Sequence, residues 1–300
     1  MNRIGVTGAT GQIGLHVLAA LRAADFAVLP IDRAALAGRN LTRHLADAGV
    51  VALVHLAGGG VHPSRRDADS LWQDNVLLTA TVTKACIAAG VTSLISFGSG
   101  AEYAPSTGKL DENATLVADN AYGLTKAAAG LAGLALCQGS GTRFHHVRLF
   151  GFFGRNEMPH RLLPTLVAAA QTGRAAQLSA GTQIRDWLSG EEIGEAVIAM
   201  LRTCLARSLS SGIYNLGSGA GHSVRDFVRY TLKALHAPSG LAEFGALSMR
   251  DGEGDSLVAD ISKIEAATGW SPALSLEASI ARELATSADV KIDRMTRHDG

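Results

Sequence analysis

A tyrosine and a lysine four residues apart, Tyr122 and Lys126, stand at the start of a predicted apolar helix. A spacing of i, i+4 places both side chains on one face of that helix. A lysine ammonium beside a phenol favours the phenolate, so the tyrosine can exchange a proton with a substrate near neutral pH. Ser99 follows the predicted strand that ends at Phe97, where its hydroxyl can hydrogen-bond the same reacting oxygen. Ser99, Tyr122 and Lys126 are therefore the predicted catalytic group.

The segment Gly8-Ala9-Thr10-Gly11-Gln12-Ile13-Gly14 follows a short apolar strand and opens a helix. In this setting the first glycine permits a tight turn, the second lets the backbone approach a pyrophosphate, and the third allows close packing of helix on strand. The helix N-terminus then presents free N–H groups to the phosphates. The pattern predicts a dinucleotide-binding loop with contacts from Gly8, Thr10, Gly11, Gln12, Ile13 and Gly14.

The residue at the end of the second predicted strand indicates whether the cofactor is NAD or NADP. Asp32 lies there, and a carboxylate at this position accepts hydrogen bonds from the ribose hydroxyls and repels a 2′-phosphate. The next residue, Arg33, is able to hold such a phosphate instead. The sequence therefore favours NAD, with NADP as the alternative.

The elements that must position these residues alternate along the first half of the chain. Largely apolar runs are typical of strands buried on both faces, and strand–helix alternation implies a parallel sheet with helices on both sides. The predicted fold class is α/β, a Rossmann-type doubly wound parallel sheet with a smaller C-terminal substrate lobe. The predicted strands are Ile4–Thr7, Ala27–Ile31, Val51–His55, Leu94–Phe97 and His145–Leu149, and the predicted helices between them are Gln12–Ala23, Leu71–Ala89 and Asn120–Gln138.

The alternation loosens after Phe150. We assign residues 1–172 to the dinucleotide-binding domain and residues 173–290 mainly to the substrate lobe, with 212–236 returning to the first domain. The polar residues 291–300 are predicted to form a flexible tail. In this half we predict a strand at Ile213–Leu216 and helices at Arg161–Gly173, Glu191–Arg207, Val224–Leu235, Ser262–Thr268 and Leu276–Ala285.

Composition argues against several other classes of protein. Acidic and basic side chains balance at 27 each, so the chain has no net field to attract nucleic acid or an anionic membrane. No apolar run approaches the roughly 20 residues that span a bilayer. The three cysteines have no metal-ligand spacing, and the adjacent His145 and His146 would point to opposite faces of a strand, so no metal site is predicted. Because no signal-like leader precedes the first strand, we expect a cytoplasmic protein.

Taken together, these motifs resemble the extended short-chain dehydrogenases/reductases, the NAD-dependent epimerase/dehydratase family. The resemblance extends from the glycine loop to residue 285. It implies a Rossmann sheet, a C-terminal lobe that binds a nucleotide-linked sugar, and assembly as a homodimer. Beyond the residues already named, it is carried by His55-Leu56-Ala57, Asn75, Tyr103, Arg148, Arg185-Asp186, Tyr214-Asn215-Leu216-Gly217 and Gly269-Trp270-Ser271-Pro272.

The resemblance also implies binding roles for single residues. Asn40 and Leu41 match an acid–leucine pair that often contacts the adenine, here with asparagine in place of the acid. Arg185 and Arg250 fall where arginines approach the nucleotide diphosphate, and Ser99 falls beside the sugar. The further positions expected beside the cofactor are Leu56, Ala57, Gly58 and Asn75, together with Tyr122 and with Lys126, which can donate to the nicotinamide ribose.

Departures from the family pattern narrow the reaction. The 4,6-dehydratases usually carry Thr-Asp-Glu where this chain has Ser99-Gly100-Ala101, so the acid pair that eliminates water is missing. Glu102 is one residue out of register, a shift that can turn its side chain to the other face. Enzymes that make GDP-fucose usually carry cysteine at Ala101, and many members carry asparagine at Gly151.

Two reactions need only the serine, the tyrosine, the lysine and a nicotinamide. The sequence favours reduction of a 4-keto (deoxy)sugar nucleotide, because a short chain suggests a small substrate lobe. The alternative is an NAD-dependent nucleotide-sugar 4-epimerase, which the NAD-type Asp32 favours because epimerases retain NAD. A non-catalytic dinucleotide-binding protein is the outside alternative, but such proteins commonly lose the tyrosine or the lysine that Tyr122 and Lys126 supply here.

Overall fold

The computed structural model describes residues 2–37, 40–60, 67–117, 119–249 and 254–296. Its strands are β1 Arg3–Thr7, β2 Ala27–Ile31, β3 Val50–His55, β4 Ser93–Ser99, β5 Lys109–Leu110, β6 Arg143–Leu149, β7 Gly151–Phe153, β8 Ala176–Leu178, β9 Ile184–Ser189, β10 Gly212–Leu216, β11 Gly221–Ser223, β12 Ala242–Phe244 and β13 Ser256–Ala259.

The α-helices are distributed between and after these strands. A π-helical segment, Trp72–Leu77, joins α4 to α5, and single 3-10 turns lie at Gly100–Glu102 and Ser239–Leu241. The helices are α1 Gln12–Ala23, α2 Arg33–Ala37, α3 Leu41–Asp47, α4 Ala68–Leu71, α5 Leu78–Ala89, α6 Ala121–Cys137, α7 Leu162–Thr172, α8 Gly190–Leu205, α9 Val224–Ala234, α10 Ser262–Thr268 and α11 Leu276–Thr296.

The main sheet contains six strands in the order β10-β6-β4-β3-β1-β2 within the described residues. All neighbouring pairs are parallel. Helices α1 and α8 cover one face, and α3, α5 and α6 cover the other, each through a cluster of buried apolar side chains. The doubly wound Rossmann prediction is confirmed, and all five strands predicted for the first half are present, with β4 running on to Ser99.

The strand order places a crevice at the end of the first strand. From β1 the chain crosses to β2 on one side and then returns to β3 on the other. The connections above β1 and β3 therefore diverge at their carboxyl ends, which is where doubly wound sheets bind ligands. The glycine loop lies at this switch point, because it follows β1 directly.

A smaller lobe is built from later segments. Strands β11, β9, β13 and β5 form a second sheet, β7 pairs with β9, and β12 pairs with β8. Beneath them lies a third apolar cluster that includes Phe153, Leu166 and Phe227. Among the described residues, no helix is long and apolar enough to cross a membrane.

The packing differs from the predicted division at residue 172 for helices α8 and α9, whereas strand β10 lies within the segment 212–236 that was predicted to return to the first domain. Strand β10 pairs with β6 in the main sheet, and α8 packs its buried side chains against the same sheet as α1. Helix α9 instead buries Phe227 and Leu232 in the cluster of the smaller lobe. The apolar stripe of a helix has the same pattern on either body, so sequence could not assign α8 or α9. The predicted tail is helical as far as Thr296, and residues 297–300 lie outside the described residues.

Candidate active site

The glycine loop forms a cradle, and side chains at its glycine positions would clash with the surrounding backbone. Gly8 has a φ of 64°, and a Cβ on it would lie 2.7 Å from the Ala57 nitrogen. A Cβ on Gly14 would overlap the Gly8 carbonyl oxygen, to which the Gly11 N–H donates a hydrogen bond of 2.9 Å. The backbone of this turn is thus packed against the end of β3 and leaves the N-terminus of α1 open. The residues present fit a dinucleotide diphosphate at the helix N-terminus.

A buried histidine ties the ends of β1 and β3 together behind the loop. The Thr7 hydroxyl and His55 Nδ1 are 2.7 Å apart, and Thr79 Oγ1 lies 3.3 Å from His55 Nε2. The Ala57 N–H also donates to Thr7 Oγ1 at 3.3 Å. Burial, with a smaller contribution from the positive charge of Lys126, lowers the pKa of His55 to about 3. His55 is therefore neutral at physiological pH and acts as a hydrogen-bonding link.

Asn75 connects the loop after β3 to the helix that carries the tyrosine and lysine. Its side-chain oxygen accepts a hydrogen bond from the Gly59 N–H at 3.0 Å, and its amide donates to Thr125 Oγ1 at 3.1 Å. The side chain is buried and belongs to the π-helical segment. Insertions of this kind often mark functional sites, and here the segment turns Asn75 inward between the two elements.

Tyr122 and Lys126 face the same loop from α6. A Cβ on Gly58 would lie 2.8 Å from Lys126 Nζ, and one on Gly60 would lie 2.5 Å from the Tyr122 ring. Lys126 Nζ donates to the Phe97 carbonyl at 3.3 Å. The structure thus places the tyrosine and the lysine beside residues 58–60, next to the cofactor cradle.

Asn120 and Gly123 set the start of α6. The Asn120 side chain caps the helix by accepting from the Gly123 N–H at 3.1 Å. Gly123 also packs against the Ala101 carbonyl, where a Cβ would overlap the oxygen. Because Ala101 lies in the turn that begins at Ser99, this contact brings the end of β4 against the first turn of α6.

The Ser99 hydroxyl is held by its own turn. Its oxygen accepts a hydrogen bond from the Ala101 N–H at 3.1 Å. A hydroxyl that accepts in this way keeps its own hydrogen for another acceptor. Ser99 thus lies at the end of β4, which packs through Ala101 against the first turn of α6, the helix that carries Tyr122 and Lys126.

The predicted adenosine-side residues have different environments. The Asp32 carboxylate accepts from the Ala35 N–H at 2.8 Å, so it also caps α2. Arg33, Asn40 and the carboxylate itself are exposed, whereas Leu41 is buried in the core cluster beneath α3. The Leu41 side chain therefore does not reach the surface, and only its backbone is available to a nucleotide.

Arg185 and its neighbour lie on β9 in the smaller lobe. Arg185 is half-buried and donates to the Ile184 carbonyl at 2.7 Å. Asp186 is buried and accepts hydrogen bonds from the Ser218 and Gly219 backbone at 2.5 and 3.0 Å. Burial raises the pKa of the Asp186 carboxyl, while these hydrogen bonds oppose that rise. Arg250, the second predicted arginine, lies outside the described residues.

Gly151 has a structural reason to depart from the family pattern. A Cβ at this position would overlap the Asp186 carbonyl oxygen, because β7 approaches β9 closely there. An asparagine side chain has no space at Gly151 in this arrangement.

Sequence reasoning missed a buried ionic group behind the site. His146 and Arg148 each contact Glu102 beneath the end of β4, and Glu102 is fully buried. No local pattern indicates this group, because β4 and β6 bring its members together. Within the part of the chain that the structure describes, no cluster of three or more His, Cys, Asp or Glu residues is arranged to hold a metal ion.

Comparisons with known proteins agree with this geometry. The model of the NAD dependent epimerase/dehydratase family matches residues 4–217. A UDP-glucose 4-epimerase of Azospirillum brasilense is 29% identical over 309 residues, covering 90% of this chain and 87% of the relative. A dTDP-glucose 4,6-dehydratase of Streptomyces griseus is 27% identical, covering 93% of this chain and 92% of the relative.

Solved structures show the same fold over nearly the whole chain. MoeE5 in complex with UDP-glucuronic acid and NAD superimposes with a TM-score of 0.86 at 25% identity, covering 96% of this chain and 100% of that chain. The glycine cradle, the tyrosine–lysine pair and the family match lead to one conclusion: this chain is an enzyme of the NAD-dependent epimerase/dehydratase family.

Proposed function

We propose that this enzyme interconverts a nucleotide-linked hexose and its carbon-4 epimer, with a uridine diphosphate hexose as the substrate class. The observation that carries the proposal is the position of Tyr122 and Lys126 beside residues 58–60, next to the cofactor cradle, together with the absence of a carboxylate at residues 100 and 101. The UDP-glucose 4-epimerase of Azospirillum brasilense and another of Corynebacterium glutamicum, which is 27% identical, support the assignment.

The chemistry that follows uses few groups. The glycine loop Gly8–Gly14 would hold NAD, and the chemistry that this cofactor would supply is reversible hydride transfer at carbon 4. Tyr122 takes the proton of the carbon-4 hydroxyl as the ketone forms and gives it back in the second half of the reaction. Lys126 keeps a positive charge beside Tyr122, and the Ser99 hydroxyl donates to the same oxygen and orients it.

The position of Glu102 supports the exclusion of water elimination. That reaction needs an acid for the leaving hydroxyl and a base for the carbon-5 proton. Gly100 and Ala101 supply neither, and the Glu102 carboxylate is turned away from the crevice toward His146 and Arg148. The missing acid pair is therefore not replaced by the neighbouring glutamate.

Reduction of a 4-keto (deoxy)sugar nucleotide is the second candidate, and it is the reaction that the sequence favoured. Arg33 is exposed directly after Asp32 at the start of α2. A guanidinium there suits the 2′-phosphate of NADPH, which a reductase would take from solution in each turnover. The same tyrosine, lysine and serine would protonate and orient the ketone.

One assay separates the two candidates. The purified enzyme is incubated with UDP-glucose alone, and the products are resolved by ion-pair chromatography; a 4-epimerase forms UDP-galactose without added cofactor. In parallel, a dTDP-4-keto-6-deoxy-hexose is offered with NADH and then NADPH. Net oxidation of NADH or NADPH in the second reaction, with no UDP-galactose formed in the first, would show that the enzyme is a reductase and not an epimerase.

The tyrosine is tested in whichever reaction is found. Tyr122→Phe removes only the phenolic hydroxyl, so turnover should fall by about 10²–10⁴-fold, the usual size of general acid–base catalysis. Cofactor affinity should stay close to that of the wild type. Activity within a few-fold of the wild type would show that Tyr122 is not the proton-transfer group.

We also propose that the enzyme is a homodimer formed through α6 and the π-helical segment. Large apolar side chains are exposed there: Leu124 and Leu131 on α6 are 41% and 51% exposed, and Trp72 is 48% exposed. Lys126 is the only charged residue of α6, so the face offers little to water. A second copy of the chain can cover this apolar face, because a two-fold axis brings the same face of both subunits into contact.

Light scattering after size-exclusion chromatography tests this interface. Leu131→Glu should shift the mass from dimer to monomer, because it buries a charge at the contact. Leu247→Glu is the matched control, since Leu247 is also 51% exposed but lies in the smaller lobe. A wild-type monomer, or equal effects of the two substitutions, would contradict the proposed interface.

A further inference from the structure

The Glu102 carboxylate is a buried acceptor for three donors on two strands, β4 and β6. The Ser99 N–H donates to Oε1 at 2.9 Å, and His146 Nε2 donates to the same oxygen at 2.9 Å. Arg148 Nε donates to Oε2 at 2.7 Å. The group is 0% exposed, so it touches neither solvent nor the crevice.

Two glycines make the space for this group. A Cβ on Gly98 of β4 would overlap both Glu102 and His146. A Cβ on Gly130 of α6 would lie 2.5 Å from the His146 ring. The carboxylate and the imidazole therefore fill the gap between β4, β6 and the helix that carries Tyr122.

The charges of the group keep the carboxylate ionised. Burial alone would raise the pKa of Glu102, but the charge and hydrogen bond of His146, then the charge of Arg148, outweigh burial and lower it. An ionised carboxylate makes stronger hydrogen bonds than a neutral one. The Ser99 N–H is thus bound by one of the stronger acceptors available in a protein.

The hydrogen bond between Glu102 and the Ser99 N–H fixes the position of the Ser99 hydroxyl, because both residues belong to one short turn. Ser99 is the N-cap of the 3-10 turn, with its N–H bound by Glu102 and its oxygen bound by the Ala101 N–H. The two bonds form a capping box that fixes both ends of the residue. The Ser99 oxygen is therefore fixed in place while its hydrogen stays available for a substrate oxygen.

We infer that Glu102 is a positioning residue for the reaction, which acts through Ser99 and, by way of His146 against Gly130, keeps the end of β4 in register with α6. The inference rests on the proposed role of Ser99 in orienting the carbon-4 oxygen. Glu102, which is one residue out of register with the acid of the dehydratases, thus positions Ser99 from outside the crevice.

A double-mutant cycle tests this role. Glu102→Gln keeps the size of the side chain but places an amide N–H against one of its three donors. Turnover should fall by about 10- to 100-fold, the effect of a misplacement near 1 Å, while KM changes by less than about three-fold. Ser99→Ala should cost much less in the Glu102→Gln background than in the wild type, because the two changes remove one function.

The chain offers a matched control in α8. Ser189 and Glu192 form the same capping box, and Glu192 is 2% exposed. Glu192→Gln should lower the melting temperature without a selective loss of turnover. If Glu102→Gln does not fold, Glu102→Asp replaces it, since the charge beside Arg148 is kept and the carboxylate is one methylene further from Ser99.

Hydrogen–deuterium exchange gives a readout that needs no substrate. The amides of residues 97–103 should exchange at least about 10-fold faster in Glu102→Gln than in the wild type, and those of residues 189–193 should not change. If no nucleotide sugar is turned over by the wild type, the proposed function fails, and exchange alone decides the positioning role. Additive effects of Ser99→Ala and Glu102→Gln, or unchanged exchange at 97–103, would overturn the inference.

Discussion

Glu157 is a buried carboxyl group whose ionisation should destabilise the folded enzyme. Its side chain is 3% exposed, and Arg161 lies 3.3 Å from one of its oxygens. Within the described residues the other oxygen, Oε2, has no hydrogen-bond partner. Burial raises the pKa of Glu157 from 4.5 to about 7; Arg161 opposes that rise, and the like charge of Glu283 adds to it.

The magnitude follows from that shift. Because the folded pKa is raised, the contribution of Glu157 to stability is fully present below about pH 4.5 and is lost as the pH rises through 7. In this interval the folded state holds a proton that the unfolded state has released. Each pKa unit corresponds to about 1.4 kcal/mol, so the free energy of unfolding should fall by about 3 kcal/mol across it. Glu157→Gln stays neutral and removes that loss.

Urea unfolding between pH 4.5 and 8.5 measures the effect. The variant and the wild type should have similar stability at pH 4.5, and the variant should be more stable by about 3 kcal/mol at pH 8.5. Glu265→Gln, which changes an exposed glutamate of α10, is the control and should leave the curve in place. Parallel curves for Glu157→Gln and the wild type would refute the reasoning.

Three further predictions concern the site. Lys126→Ala should weaken NAD binding, because the proposed contact with the nicotinamide ribose is lost, and it should move the pH–rate profile upward, because the charge beside Tyr122 is lost. Unchanged affinity in titration calorimetry together with an unchanged profile would show that Lys126 is only a surface charge. Asp32→Ala should increase the use of NADP relative to NAD in steady-state kinetics, and Asp32→Asn, which keeps the cap on α2, should do the same with less loss of stability. Gly151→Asn should destabilise the enzyme by about 1–3 kcal/mol in urea unfolding, because its Cβ overlaps the Asp186 carbonyl, whereas Gly141→Asn, with nothing within 4 Å of a Cβ, is its control.

The sequence predicted the cofactor cradle and the tyrosine–lysine pair because their geometry is local. Gly8 and Gly14 act within one turn, and Tyr122 and Lys126 act within one helix. The strands of the main sheet could also be predicted, since segments that are buried on both faces of a sheet are almost entirely apolar. These features depend on residues that are close together in the sequence, so the sequence pattern is enough to predict them.

Features that depend on register between distant strands were not predictable. Glu102 meets His146 and Arg148 only because β4 and β6 align Ser96 with His146 and Gly98 with Arg148. The side chain of Leu41 likewise turns into the core because α3 packs on the sheet. Neither residue type nor spacing encodes such contacts.

Helix α11 shows a third limit. Residues 291–296 are mostly polar, which suggested a tail, but the structure continues the helix to Thr296. No glycine or proline interrupts the segment from Leu276 to Thr296, and polar residues such as lysine and arginine are good helix formers. The polarity of these residues is therefore not a reason to predict loss of the helix.

The close packing of α8 on α1 has a consequence for engineered chimeras. A Cβ on Gly194 would lie 2.7 Å from Ala20, and Gly190 leaves room for the His16 ring. Since α8 follows β9 without a break, the strand that bears Arg185 is covalently continuous with a helix fitted to the cofactor half. A recombinant that exchanges substrate specificity by swapping everything after residue 172 would therefore mismatch this seam. Crossovers that retain α8 and β10 from the recipient, and exchange only the segments around them, preserve the body that holds the nicotinamide cofactor.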